Sequence, residues 1–190
     1  METSPKKWFK LLGSLAVGLC ALLSASLHAQ SSQWIELEKA HVQVKLPDQW
    51  KTYEDILGMP LLLKGPTKNG KRAVIMITPT EVIDIRFDEK SLKEKEENYQ
   101  KGRLEWLKKY NGDLQKFYSY KLQSWKNVKR IHRVGMRYTL QDKVYEEFSF
   151  YFNCKKQLFH VKALYPLKEF RAQKQDILNI VKSFNCRRKI

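Results

Sequence analysis

Residues 145–154 read YEEFSFYFNC. From Phe148 the apolar and polar side chains alternate without a break. Phe148, Phe150 and Phe152 share one side of an extended chain, and Glu147, Ser149, Tyr151 and Asn153 share the other. A period of two with large aromatics on one side predicts a β-strand of an antiparallel sheet, covered on at least that face.

The same period continues on both sides of this segment. Phe117 to Trp125, Val134 to Leu140 and Leu158 to Tyr165 are further strands separated by short turns, so residues 114–165 form a four-stranded meander. Leu167 to Phe184 then changes to a helical period, with Phe170, Ile177, Leu178, Val181 and Phe184 on one stripe. Upstream, Leu92, Tyr99 and Trp106 recur every seven residues, with Leu107 and Tyr110 beside them. Ser91 and Glu94 have capping-box spacing and Asn111-Gly112 is a stop signal, so a helix is expected over 92–110. It is under three heptads, too short for a coiled coil.

The N-terminal part is again extended. Val42, Val44 and Leu46 alternate and run into Pro47-Asp48, with Trp50 three residues beyond the proline. Proline lacks a ladder donor and suits the end of an edge strand, Asp48 can hold the turn, and Trp50 is expected to fold back over the core edge. Ile56 to Lys64 is a second apolar run and residues 65–70 (GPTKNG) are a turn cluster. Arg72 to Thr78 is a buried strand closed by Pro79.

Cys154 and Cys186 test the topology. A strand of about eight residues rises roughly 26 Å, and a helix of about eighteen returns roughly 27 Å. The helix end therefore lands beside the turn where the last strand began, bringing the two cysteines together. Their pairing is favoured over two free thiols and should contribute roughly 3–4 kcal/mol.

The order strands, helix, four-stranded meander, helix, together with the segment VQVKLPDQW, resembles the PsbP-like superfamily. That group includes an extrinsic photosystem subunit, a Ran-binding nuclear factor and small exported bacterial proteins such as DcrB. The residues that carry the resemblance are Pro47-Asp48-Gln49-Trp50 and the late pair Ser183-Phe184, with Gln49 standing where relatives often have Gly. The resemblance implies an α+β fold, an α/β/α sandwich around an antiparallel sheet, usually without known catalysis.

Residues 1–29 stand apart from this pattern. Lys6, Lys7 and Lys10 precede an apolar stretch from Leu11 to Leu27, and Leu27-His28-Ala29 ends in a small residue. These are the three parts of a secretory signal peptide, expected to be cleaved after Ala29. A retained anchor is the competing reading, disfavoured by the Gly, Ser and Ala that dilute the stretch and by the polar residues that follow. Lipidation at Cys20 is rejected because Leu19 precedes it. The mature chain, residues 30–190, is expected to be a single domain, periplasmic or secreted.

Charge is the strongest compositional signal. The chain carries 36 Lys and Arg against 20 Asp and Glu. Removing the three lysines and one glutamate of residues 1–29 leaves 33 against 19, a net +14. Such a field favours acidic proteins or anionic envelope components. A basic surface can equally be a general habit of the source proteome.

Chemistry has few candidates. His41, His132 and His160 lie at no metal-ligand spacing and form no zinc pattern with the cysteines. No nucleophile elbow, phosphate-cradling loop or dinucleotide fingerprint occurs. Glu146 and Glu147 point to opposite faces and cannot share a substrate. No catalytic residue, cofactor or metal is therefore expected, and the chain is read as not an enzyme. The candidate binding cluster is Trp125, Lys126, Lys129, Arg130, His132, Arg133 and Arg137 around one hairpin turn. These residues could hold phosphate or carboxylate groups by charge-assisted hydrogen bonds, stack a base or sugar on Trp125, or be a solvated turn. The leading expectation is an exported accessory or binding protein docking an acidic protein partner or anionic envelope surface. The rival is a small envelope-acting enzyme whose site assembles only in space. Specific nucleic-acid binding is not expected of an exported chain.

Overall fold

The computed structural model describes residues 32–37, 42–56, 59–80, 89–154 and 157–186. The expected export signal, His41 and the basic tail at 187–189 lie outside these residues.

The aromatic alternation becomes strand β8 (Lys143–Cys154) of a seven-stranded sheet. The others are β3 (Lys51–Ile56), β4 (Met59–Lys68), β5 (Lys71–Thr80), β6 (Asp113–Gln123), β7 (Ile131–Leu140) and β9 (Gln157–Pro166). Their order is β3-β4-β5-β9-β8-β7-β6, and every neighbouring pair is antiparallel. The four-stranded meander thus forms one side of a continuous sheet, four of its seven strands. β6 is an edge strand whose pairing with β7 shifts register twice.

Burial follows the alternation. Phe148, Phe150 and Phe152 join Val161, Ala163, Tyr165, Ile75 and Ile77 in the main core on one face. That core is closed by α2 (Leu167–Phe170) and α3 (Lys174–Lys182), which contribute Phe170, Ile177, Ile180 and Val181. On the opposite face α1 (Glu89–Lys109) lays Tyr99, Trp106 and Leu107 against Met136, Tyr138 and Leu164 in a smaller cluster. The protein is therefore an α+β fold with helices on both sides of an antiparallel sheet.

A second sheet was not foreseen. β1 (Ser32–Leu37), β2 (Val42–Pro47) and the two-residue β10 (Asn185–Cys186) pair in the order β1-β2-β10. β2 is thus a central strand, not an edge, and Pro47 is tolerated at its last position opposite Ser32. The Trp50 amide donates to Pro47 O (2.9 Å), closing the turn, and the indole packs against the main core. Ser183 Oγ accepts from Lys45 N (2.8 Å) and donates to Ile180 O (2.7 Å), fastening the end of α3 to β2.

Other boundaries also move. α1 begins at Glu89, so Ser91 lies inside the helix rather than capping it. Tyr110, expected beside the buried stripe, is half exposed. The stop at Asn111-Gly112 is real: Asn111 adopts φ 52° and Gly112 N donates to Leu107 O (2.8 Å). A Cβ at Gly112 would lie 2.8 Å from Thr139 O. The turn expected across 65–70 is confined to Asn69-Gly70, while Gly65-Pro66 forms a bulge inside β4. Gly65 lies close against the Trp50 ring, which a Cβ would meet at 3.2 Å and push back by a few tenths of an ångström. β5 runs through Pro79, which pairs with Phe159 near the strand end. The single helix expected over Leu167–Phe184 is broken between Phe170 and Lys174, where Gln173 N reaches back to Phe170 O (3.0 Å). The bend lets Phe170 and Ile177 reach the same core.

The cysteines meet as expected, although two short helices and β10 make the return in place of one continuous helix. Cys154 at the end of β8 and Cys186 in β10 form a disulfide with Cα atoms 5.3 Å apart.

Candidate functional site

Three consecutive core-facing positions of β7 define the site. Arg133 lies opposite Phe150, Gly135 opposite Phe148 and Arg137 opposite Glu146. A Cβ on Gly135 would fall 2.5 Å from Phe148 Cδ1 and 2.6 Å from Glu147 O. Because glycine leaves that space, the Phe148 ring lies across β7 between the two arginines. The Arg133 guanidinium carbon stands 5.3 Å from the ring centre and Lys174 Nζ, from the start of α3, 5.1 Å from it. Cations at this distance over an aromatic face are attracted by its quadrupole. Tyr118 from β6 adds a second ring, 5.4 Å from Phe148.

Glu146 is the anion beside this platform, and its side chain has no exposed surface. It accepts from Tyr118 Oη (2.8 Å), Arg137 Nη2 (2.6 Å) and Nε (3.2 Å), Tyr165 Oη (2.5 Å) and Lys174 Nζ (2.9 Å). Burial alone would raise the Glu146 pKa, but these donors, Tyr165 foremost, bring it down to about 2. Two cations thus share one carboxylate, with a third across the Phe148 ring. Arg137 and Lys174 both bond Glu146, and Arg133 makes no ion pair among the described residues.

The seven candidate residues separate into three groups. Arg133 and Arg137 share the platform with Lys174. Lys126, Lys129 and Arg130 stand exposed on the loop between β6 and β7. Trp125 anchors that loop, its amide donating to Val128 O (2.9 Å) and its ring packing on Phe150 and Phe152 at 5.4 and 5.7 Å. His132 does not belong with them. It pairs with Tyr151 on the α1 side of the sheet and is buried, and that burial lowers its pKa. Strand alternation sends it away from Arg133.

Comparison with known proteins gives the architecture a name. No family model matches the chain, and no curated protein matches its sequence. Solved structures do match. PsbP (CyanoP) from Synechocystis is similar with a TM-score of 0.60 at 10% identity, over 84% of this chain and 95% of that one. LpqN of Mycobacterium tuberculosis, involved in cell envelope biogenesis, is similar with a TM-score of 0.53 at 13% identity, over 82% and 90%. The fold is PsbP-like.

On this PsbP-like frame the α1 side of the sheet carries a second polar network. Glu147 accepts from Tyr99 Oη (3.0 Å) and Arg103 Nη2 (2.9 Å), with Lys162 Nζ 3.5 Å away. Ser149 Oγ lies 3.0 Å from His160 Nε2, and the His160 ring stacks on Tyr151 with centroids 4.4 Å apart. Burial, helped by the Lys162 charge, lowers the His160 pKa to about 4, so the imidazole is neutral. Ser149 has no exposed surface. Among the described residues no three His, Cys, Asp or Glu side chains gather as a metal site.

Sequence reasoning missed Glu146, Lys174, Tyr118 and Tyr165. Glu146 had a readable signal, since it continues the Phe148-Phe150-Phe152 face and so places a carboxylate beside apolar rings. Lys174 had none, because it comes from a helix distant in sequence.

Proposed function

We propose that the chain works outside the cytoplasm as a non-catalytic binding protein of the cell envelope. It docks an acidic protein partner or anionic envelope surface through the basic face at the β6–β7 loop. The observation that carries this reading is the state of the loop: Lys126, Lys129 and Arg130 are exposed and make no ion pair among the described residues. Trp125 and Val128 hold the loop against the main core, so these charges are presented on a fixed support. The disulfide supports an oxidising compartment. The envelope role of LpqN, a protein of similar fold, agrees with this reading. Non-catalytic action is supported by Ser149, whose hydroxyl is buried beside His160, and by Glu146 and Glu147, which face opposite sides.

The test is retention of solubilised envelope material on the immobilised protein. Raising salt from about 0.1 M to about 1 M shortens the screening length from about 10 Å to about 3 Å. Retention should fall steeply over that range, and K126Q/K129Q/R130Q should lower it already at the lower salt. Retention that ignores both changes would refute the reading.

A further inference from the structure

We propose that the Phe148 platform is a binding site for a single oxyanion group, a carboxylate or a phosphate, held by Arg133 in the field of Lys174. The inference deepens the docking function and rests on it for the idea that the carrier of the anion is an envelope partner; the site itself is argued from its own geometry.

Both cations stand over one ring, at 5.3 and 5.1 Å from its centre, so their charges are at most about 10 Å apart. At that range Lys174, whose ammonium already bonds Glu146, adds its field to an anion held by Arg133 rather than a second direct hydrogen bond. Arg133 brings unused capacity: its Nε is buried without a hydrogen-bond partner, and no carboxylate among the described residues neutralises it. A buried N–H left unmade is costly, more so on a charged group. A second donor in the same state is Trp125 Nε1. Its ring packs on Phe150, the residue directly across from Arg133, so both orphan donors belong to one layer of the protein.

Charge points the same way. Glu146 supplies one negative charge against Arg133, Arg137 and Lys174, leaving an excess of two positive charges beside the platform. Solvent reaches this group, since the Arg137 and Lys174 side chains are 34% and 38% exposed. The support is rigid. Gly135 admits no side chain, Phe148 fills its place, and Tyr118 and Tyr165 fix Glu146 from two strands. An anion would meet donors already oriented, with little reorganisation to offset.

The site is read by titrating the whole chain at low salt with acetate and, separately, inorganic phosphate. The amide and side-chain N–H resonances of Trp125 Nε1 and Arg133 Nε are followed. Both should move saturably with a dissociation constant below about 10 mM for at least one anion. Tighter acetate assigns an acidic side chain as the natural group, and tighter phosphate a phosphorylated carrier. Arg133→Met should weaken binding at least about tenfold, the scale of one lost charge-assisted hydrogen bond. Lys174→Gln, at a half-exposed position, gives the same decision should Arg133→Met fold poorly. No saturable shift with either anion, or unchanged affinity in the variant, overturns the proposal. Success here with failure of the salt-dependent retention would leave the site standing and remove only the docking reading. The reverse would leave the loop as the docking element and remove the platform.

Discussion

Glu146 and Glu147 are neighbours in sequence, yet each is the buried anion of a separate network on opposite faces of β8. Glu146 gathers Tyr118, Arg137, Tyr165 and Lys174 on the main-core side. Glu147 gathers Tyr99, Arg103 and Lys162 beneath α1. Strand alternation turns one acidic dipeptide into two tie points, joining the sheet to the helices on both of its sides.

Glu146→Gln is expected to destabilise the fold by about 3 kcal/mol, because it leaves Arg137 and Lys174 without their shared buried anion. The Glu146 pKa lies near 2 when folded, below the ordinary 4.5. Its contribution is therefore complete above pH 4.5 and is lost as pH falls through about 2. Urea unfolding at pH 7 measures the loss; a variant as stable as the parent would contradict the network.

Gly135→Ala should cost about 1–3 kcal/mol through overpacking, since the new methyl would collide with Phe148 and with the backbone of β8. Neither neighbour can give way cheaply. A thermal melt indistinguishable from the parent would mean that the Phe148 ring does not lie across β7 as described.

His160 predicts a pH effect of the opposite chemical kind. Its folded pKa of about 4 lies below the ordinary 6.5, so the unfolded chain holds the proton more tightly. The stability that neutral His160 provides is full above pH 6.5 and drains as pH falls towards 4. His160→Gln should flatten the decline of the urea midpoint across that window. His132, also lowered by burial, contributes to the slope that remains, as does Glu146 towards the acid end. Equal slopes in parent and variant would refute the assignment.

Replacing Cys154 and Cys186 by Ser should cost about 4 kcal/mol on the chain-entropy model, given a separation of 32 residues. A reductant should lower the parent melting temperature and leave the double variant unmoved. Equal melting with and without reductant in the parent would exclude the bond.

The central strands were legible because burial on a known face imposes a period of two, as Phe148, Phe150 and Phe152 display. β3 (KTYEDI) was not, since it is an edge strand with no fully buried residue to set a rhythm. The helix break after Phe170 and the bulge at Gly65 were hidden for a common reason. Each sits against a distant partner: the shared core of Phe170 and Ile177, and the Trp50 ring. The candidate site divides along the same line. Arg133 and Arg137 follow from alternation along β7, whereas Lys174 and the phenols of Tyr118 and Tyr165 are brought in by tertiary packing. His132 faces away from the loop cations because the last residues of the run 125–133 already obey the strand period.

Among the described residues β6 has a neighbouring strand on one side only, which has a consequence for behaviour at high concentration. Its two register shifts break the row of backbone donors and acceptors that another copy would need as a template, and exposed Lys116 and Lys121 repel a like-charged neighbour. Leu122, 60% exposed on the same margin, is hemmed by that irregularity and charge. Straightening this strand, or neutralising its lysines, would remove two obstacles to edge-to-edge pairing between copies.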